Sequence, residues 1–122
     1  MLDGAGQVGF VGVSDLDAAQ QFYGDVLGLP LQDARPFALV HDGDGSQLRI
    51  TLVDDVRAAP YTVLGWVVAD LAAEIDRLVA AGVSFTRYDG MEQDDRGIWT
   101  SPSGARIAWF LDPDGNNLSL QG

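Results

Sequence analysis

Val13-Ser14-Asp15-Leu16-Asp17, followed by Phe22-Tyr23-Gly24-Asp25-Val26-Leu27-Gly28-Leu29, is the stretch that decides the fold. Asp15 offers a side-chain oxygen to the unpaired N–H groups of a helix start. Leu16, Ala19, Tyr23 and Val26 then recur at helical spacing. Gly28 supplies the stop, with Pro30 just beyond it. Upstream, residues 7–13 are apolar and β-branched enough to read as a strand. Downstream, 37–41 and 47–52 read as two strands joined by the turn Asp42-Gly43-Asp44-Gly45.

The second half repeats this order. Residues 61–68 read as a strand, Asp70 as the cap, and Leu71, Ile75, Leu78 and Val79 as an apolar helical stripe ended by Gly82. A strand at 83–87 follows, then strands at 105–111 and 117–121 around Asp112-Pro113-Asp114-Gly115-Asn116. Residues 88–104 are an insertion found in this half alone, and 54–60 read as the linker. One copy is too small to fold alone. Two copies side by side each cover one sheet face with a helix and leave the opposite faces around a shared cleft, the expected ligand site. The expected fold class is therefore α+β. Two paired βαβββ modules, about 6–53 and 61–121, form a curved mixed sheet around that cleft in a single domain, 1–122.

Composition narrows the function classes. A chain of 122 residues, 47% hydrophobic and 20% charged, buries a core without crosslinks. It has no cysteine, which removes disulfides, thiol nucleophiles and thiolate metal sites. Eighteen acids face seven arginines, for a net charge of −11, and no basic stripe exists to meet phosphates, so nucleic acid is excluded as a partner. No apolar run spans a bilayer and no secretory pattern is present, so the expectation is a cytoplasmic protein without membrane contact. The acidic exterior reads first as a solubility device.

The quoted segments resemble the vicinal oxygen chelate superfamily of glyoxalases, bleomycin-resistance proteins and dioxygenases. Its strand-to-helix signature runs V-x-D-L-D, then F-Y-x-x-x-L-G-L, and its closing turn is DPDGN. Val67-Val68-Ala69-Asp70-Leu71 and Gly82-Val83 are similar to the matching places of the second module. The likeness covers nearly the whole chain. Each piece also has a scaffold role, in capping, packing or turning, so the signature says nothing of chemistry.

The resemblance implies a divalent ion held by His, Glu or Gln from the first and last strands of each module. The first-strand place, seven residues before the capping Asp, holds Val8 and Val63. The last-strand place, four after the turn Gly, holds Arg49 and Ser119. Two of these carry no donor atom, one is a permanent cation and one is a neutral hydroxyl. The expectation is no metal and no cofactor, with the Arg49 guanidinium near the place of the ion. The single histidine, His41, stands beside a turn and reads as a solvated surface residue.

Strand alternation sorts the cleft lining. Leu48, Ile50 and Leu52 should face a helix, leaving Gln47, Arg49 and Thr51 toward the cleft; Leu118 and Leu120 oppose Asn117, Ser119 and Gln121 in the same way. Val8, Phe10 and Gly12 point inward, with Val63, Gly65 and Val67, and Trp66 lies beneath a helix. The insertion is long for a connection, and Tyr88, Glu92 and Trp99 are its candidates for ligand contact. The expected ligand-binding set is Phe10, Gln47, Arg49, Thr51, Tyr88, Glu92, Trp99 and Ser119.

Two functions compete. The first is binding of a small organic molecule without metal, as a sequestering protein of the bleomycin-resistance type. The second is a metal-independent isomerase, lyase or hydrolase in which Arg49 stabilises an oxyanion and Tyr88, with Glu92 or Asp95, moves protons. The sequence singles out no catalytic residue. Edge strands in a two-module chain and the habits of the family favour a homodimer.

Overall fold

The computed structural model describes all residues, 1–122. The chain divides into two compact units, Met1–Arg57 and Ala58–Gly122, with the boundary inside the expected linker. No helix is long and apolar enough to cross a membrane.

In the first unit, β1 (Gln7–Val13) leads into α1 (Leu16–Ala19), which continues as a π-helical stretch over Gln20–Val26. Asp15 caps the start, its Oδ1 accepting from the N–H groups of Asp17 and Ala18 at 2.8 and 3.2 Å. The wider turn was not expected; Leu27 N–H reaches back to the carbonyl of Phe22, five residues away. Leu16, Ala19 and Tyr23 are buried as expected, whereas Val26 is half-buried. Gly28 ends the helix with φ near 80°, a conformation its missing Cβ permits.

Three strands complete the sheet: β2 (Gln32–Ala34), β3 (Ala38–Gly43) and β4 (Ser46–Leu52), in the order β1-β4-β3-β2. β1 runs parallel to β4 while the remaining pairs are antiparallel. Short β2 carries no alternation and escaped the sequence reading. Val11, Val13, Leu39, Leu48 and Ile50 are buried; Val8 and Phe10, on the other face, are exposed. Leu52 departs from its parity and is 41% exposed, because β4 ends there.

The second unit follows the same plan. β5 (Leu64–Val67) precedes α2 (Leu71–Ala80), capped by Asp70 Oδ1 accepting from Ala73 N–H at 3.1 Å. Leu71, Ile75 and Leu78 are buried, but Val79, expected in the stripe, lies on the outer flank and is exposed. Beyond Gly82 the expected strand at 83–87 is reduced to one bridge between Phe85 and Phe110. The insertion supplies β6 (Trp99–Thr100) instead, followed by β7 (Arg106–Leu111) and β8 (Asn117–Gln121). Their order is β5-β8-β7-β6, with β5 parallel to β8. Leu118, Leu120, Ala108 and Phe110 form the buried face. Trp66 pairs with Leu120 on that face but is only half-buried.

Arg96 clamps the insertion to α2 through a two-pronged pair with Asp76, both bonds at 3.0 Å. These hydrogen bonds, followed by the guanidinium charge, hold the Asp76 carboxyl below its usual range. The architecture is two βαβββ modules, each a four-stranded mixed sheet with one helix.

Candidate functional site

Each unit carries an open sheet face. In the first, Phe10 on β1, Arg49 on β4 and Val40 on β3 lie side by side in register. Phe10 is 67% exposed and Arg49 half-buried. Gln47, one pair along, donates from Nε2 to Asp42 Oδ1 at 2.8 Å. Thr51 Oγ1 turns back to the Arg49 carbonyl at 3.4 Å, a long bond that leaves the hydroxyl weakly held. The structure thus gathers Phe10, Gln47, Arg49 and Thr51 on one surface. His41, on the opposite face, is half-buried rather than fully solvated, and its Nδ1 meets the carbonyl of Pro30 at 2.9 Å.

Arg49 differs from the other arginines. Arg35, Arg57, Arg77 and Arg96 all sit in ion pairs, and Arg87 donates to the carbonyls of Gln93 and Asp95. Arg106 is exposed and solvated. Arg49 alone is half-buried with neither carboxylate nor carbonyl partner.

In the second unit, Gly65, Ser119 and Trp109 form a row across β5, β8 and β7. Gly65 has a packing reason. A Cβ there would collide with Ser119 Oγ, so the missing side chain lets the serine hydroxyl lie over the strand. Tyr88 packs edge-on against Trp109, with centroids 5.5 Å apart, and Trp99 lies 6.1 Å from the same ring. Trp109 Nε1 donates to Thr62 Oγ1 at 3.0 Å, and Asn117 Nδ2 donates to the Tyr88 hydroxyl at 3.0 Å.

Tyr88, Trp99 and Ser119 are therefore neighbours through Trp109. Glu92 is exposed and lines an open depression with Gln93, Ile98 and Trp99, of which Tyr88 is not a part. The Tyr88 hydroxyl bonds to Asn117, and neither Glu92 nor Asp95 reaches it. Sequence reasoning missed Trp109, and it put Asn117 on the polar face of the last strand without counting it in the ligand-binding set. The alternation that places Ile107 and Leu111 on one face puts Trp109 there too, and Asn117 shares the parity of Ser119; that signal was present.

The insertion is pinned from within. Gln93 accepts the Tyr88 N–H on Oε1 at 2.8 Å and donates from Nε2 to the carbonyls of Thr86 and Gly97. One buried-edge amide thus sets the backbone that carries Tyr88.

The four places matched to ion ligands do not fit a divalent ion. Val8 and Val63 present alkyl groups, Arg49 a guanidinium, and Ser119 a hydroxyl packed over Gly65. No three His, Asp or Glu side chains gather anywhere as an ion site.

Comparison with known proteins agrees with the topology. Solved structures with the same fold include a glyoxalase/bleomycin resistance protein/dioxygenase superfamily member from Sphaerobacter thermophilus, at 24% identity and TM-score 0.72, covering 95% of this chain and 94% of that one. A glyoxalase family protein from Bacillus anthracis aligns at 14% identity and TM-score 0.73, covering 97% and 93%. A glyoxalase/bleomycin resistance protein from a Streptomyces species aligns at 28% identity and TM-score 0.67, covering 97% and 100%. No curated protein matches the sequence. The model of the Glyoxalase/Bleomycin resistance protein/Dioxygenase superfamily matches residues 5–120, and the chain belongs to that superfamily.

Proposed function

We propose that the chain binds a small organic molecule carrying an anionic or enolate group, without a metal, and sequesters it as a resistance-type protein does. The observation that carries this reading is Arg49: half-buried, unpaired, and beside the exposed ring of Phe10. A guanidinium withdrawn from water without an anion is costly, and a ligand carboxylate or phosphonate removes that cost. In a chain with eighteen acids, an arginine kept clear of all of them is a place kept for an outside anion.

The test is calorimetric titration with benzoate and phenylphosphonate, backed by thermal shift. Arg49→Ala should weaken either ligand by about tenfold or more, since a charge-assisted hydrogen bond contributes about 1.5–3 kcal/mol. Arg49→Lys should recover part of the affinity, lacking the two-pronged geometry. Equal binding by Arg49→Ala and the wild type sinks the reading. The catalytic alternative, with Arg49 as oxyanion stabiliser, predicts a different pattern: a substrate still bound by Arg49→Ala but turned over more slowly.

The chain is also proposed to assemble as a homodimer. Val8 and Phe10 on β1 and Val67 on β5 are large apolar residues left on edge strands. Light scattering should give twice the 13.0 kDa chain mass, and a value at the single-chain mass rejects the dimer.

A further inference from the structure

We infer that the open depression beside β6 is a binding site for a small aromatic amidinium or guanidinium, held by Glu92 and Trp99. It belongs to the second unit alone, takes the opposite charge from the site built on Arg49, and does not rest on that reading.

The depression has a volume of about 380 Å3, within the range that holds one small molecule. Its lining comes from two short runs, 92–94 and 98–100, tied together by an antiparallel bridge between Gln93 and Trp99. Ile98, 4% exposed, supplies an apolar base, and Trp99 is half-buried beside it. Glu92, Asp94 and Thr100 are exposed around them.

No cation lines this space. The insertion carries four acids and one arginine. That arginine, Arg96, gives both prongs of its guanidinium to Asp76 on α2, and Arg87 donates to the carbonyls of Gln93 and Asp95. The two carboxylates of the lining are not equivalent. Asp94 Oδ1 accepts from the N–H groups of Arg96 and Ile98, both at 2.9 Å, and so is committed to the turn. It also feels the charge of Arg96. The Glu92 carboxylate accepts no hydrogen bond and joins no ion pair within the chain.

Both Glu92 oxygens are therefore open to a planar pair of N–H donors, the geometry in which guanidinium-like groups meet carboxylates. Trp99 brings an indole to the same wall, and its π face attracts a flat cation. The net charge of −11 adds a long-range pull on cations. A metal ion does not suit the place, because no three His, Asp or Glu side chains gather there.

The walls are formed before a ligand arrives. Gln93 Nε2 donates to the carbonyls of Thr86 and Gly97, and Asp94 N–H donates to the Ile98 carbonyl at 2.9 Å. The Trp99 ring rests 6.1 Å from that of Trp109, whose Nε1 donates to Thr62. A preformed site loses little freedom on binding.

The test titrates the intact, isotope-labelled protein with benzamidine and follows the indole N–H signals by NMR. The signal that Trp99→Leu removes is that of Trp99. Benzamidine should shift it saturably and leave the Trp66 signal in place. Benzamide, the neutral isostere, and phenyltrimethylammonium, a cation without N–H groups, should each bind about tenfold more weakly or worse. Glu92→Gln keeps the size and removes the charge, and should cost about tenfold in benzamidine affinity. Trp99→Leu, read by calorimetry, should cost about threefold or more. Asp55→Asn removes another exposed carboxylate, in the first unit, and should change the affinity by less than about twofold. The inference is overturned if benzamidine gives no saturable shift, or if benzamide or phenyltrimethylammonium binds as tightly. It is overturned equally if Glu92→Gln or a folded Trp99→Leu binds like the wild type. Should Trp99→Leu not fold, Glu92→Gln and the two control ligands decide alone, since an exposed, unpartnered Glu92 holds no part of the fold.

Discussion

Phe110→Ala is expected to lower the free energy of unfolding by about 3–5 kcal/mol, the usual cost of emptying a fully buried phenylalanine site. Phe110 is 0% exposed near the end of β7, opposite Leu118 and 5.3 Å from the ring of Phe85. Leu118 is itself fully buried and pairs onward with Leu64, so the ring is the centre of the second sheet's apolar face. The fixed backbone of a hydrogen-bonded strand cannot collapse into the space left behind, and the cavity term adds to the lost transfer energy. Phe10→Ala is the matching control. Its ring is 67% exposed on the open face of the first sheet, and its loss should change stability by about 0.5 kcal/mol or less. Urea titrations followed by circular dichroism measure both. Equal costs for the two variants would show that the faces have been assigned the wrong way round.

That contrast between faces is what the sequence made legible. Alternation along 7–13 and 47–52 placed Val11, Val13, Leu48 and Ile50 inside and Phe10 and Arg49 on the open side, because a strand's period of two leaves no freedom once one face is buried. Asp15, Asp70 and Gly28 were legible for a similar reason: caps and stops answer to local chemistry. The π-helical continuation after Ala19 was not legible, since Leu16, Ala19 and Tyr23 fit either turn width. The strand at 83–87 was over-read, because β-branched and aromatic residues signal a strand without saying whether a partner edge is free; β6 from the insertion takes a place in that sheet. Trp109 escaped, and Asn117 was placed on the polar face without a role, for a third reason. Their meaning is not in residue type but in the approach of Tyr88, which depends on how Gln93 folds the insertion.

Asp112→Ala should be nearly as damaging, at about 2–4 kcal/mol, although it removes only a small polar group. Asp112 is 5% exposed and organises the whole Asp112–Asn116 turn. Its Oδ1 accepts from the N–H groups of Asp114 and Asn116 at 2.9 and 2.8 Å, and its Oδ2 accepts from Asn116 Nδ2 at 2.8 Å. Asn116 is 6% exposed, so alanine would take from a buried backbone donor and a buried side-chain amide the acceptors that Asp112 gives them. Gly115, at φ near 86°, keeps the turn's shape possible but supplies none of those acceptors. The corresponding turn of the first module makes the comparison. Asp42 is exposed there and accepts one bond, from Gln47 Nε2, so Asp42→Ala should cost about 0.5 kcal/mol or less. Chemical unfolding of the two alanine variants tests the asymmetry directly, and a cost for Asp42→Ala that rivals Asp112→Ala would refute it. Because the turn delivers the chain to Asn117, the Asp112 variant should also loosen the amide that holds the Tyr88 hydroxyl. Two turns in equivalent places thus carry different loads: one closes a hairpin in water, and the other sets a buried side chain in register with its aromatic neighbours.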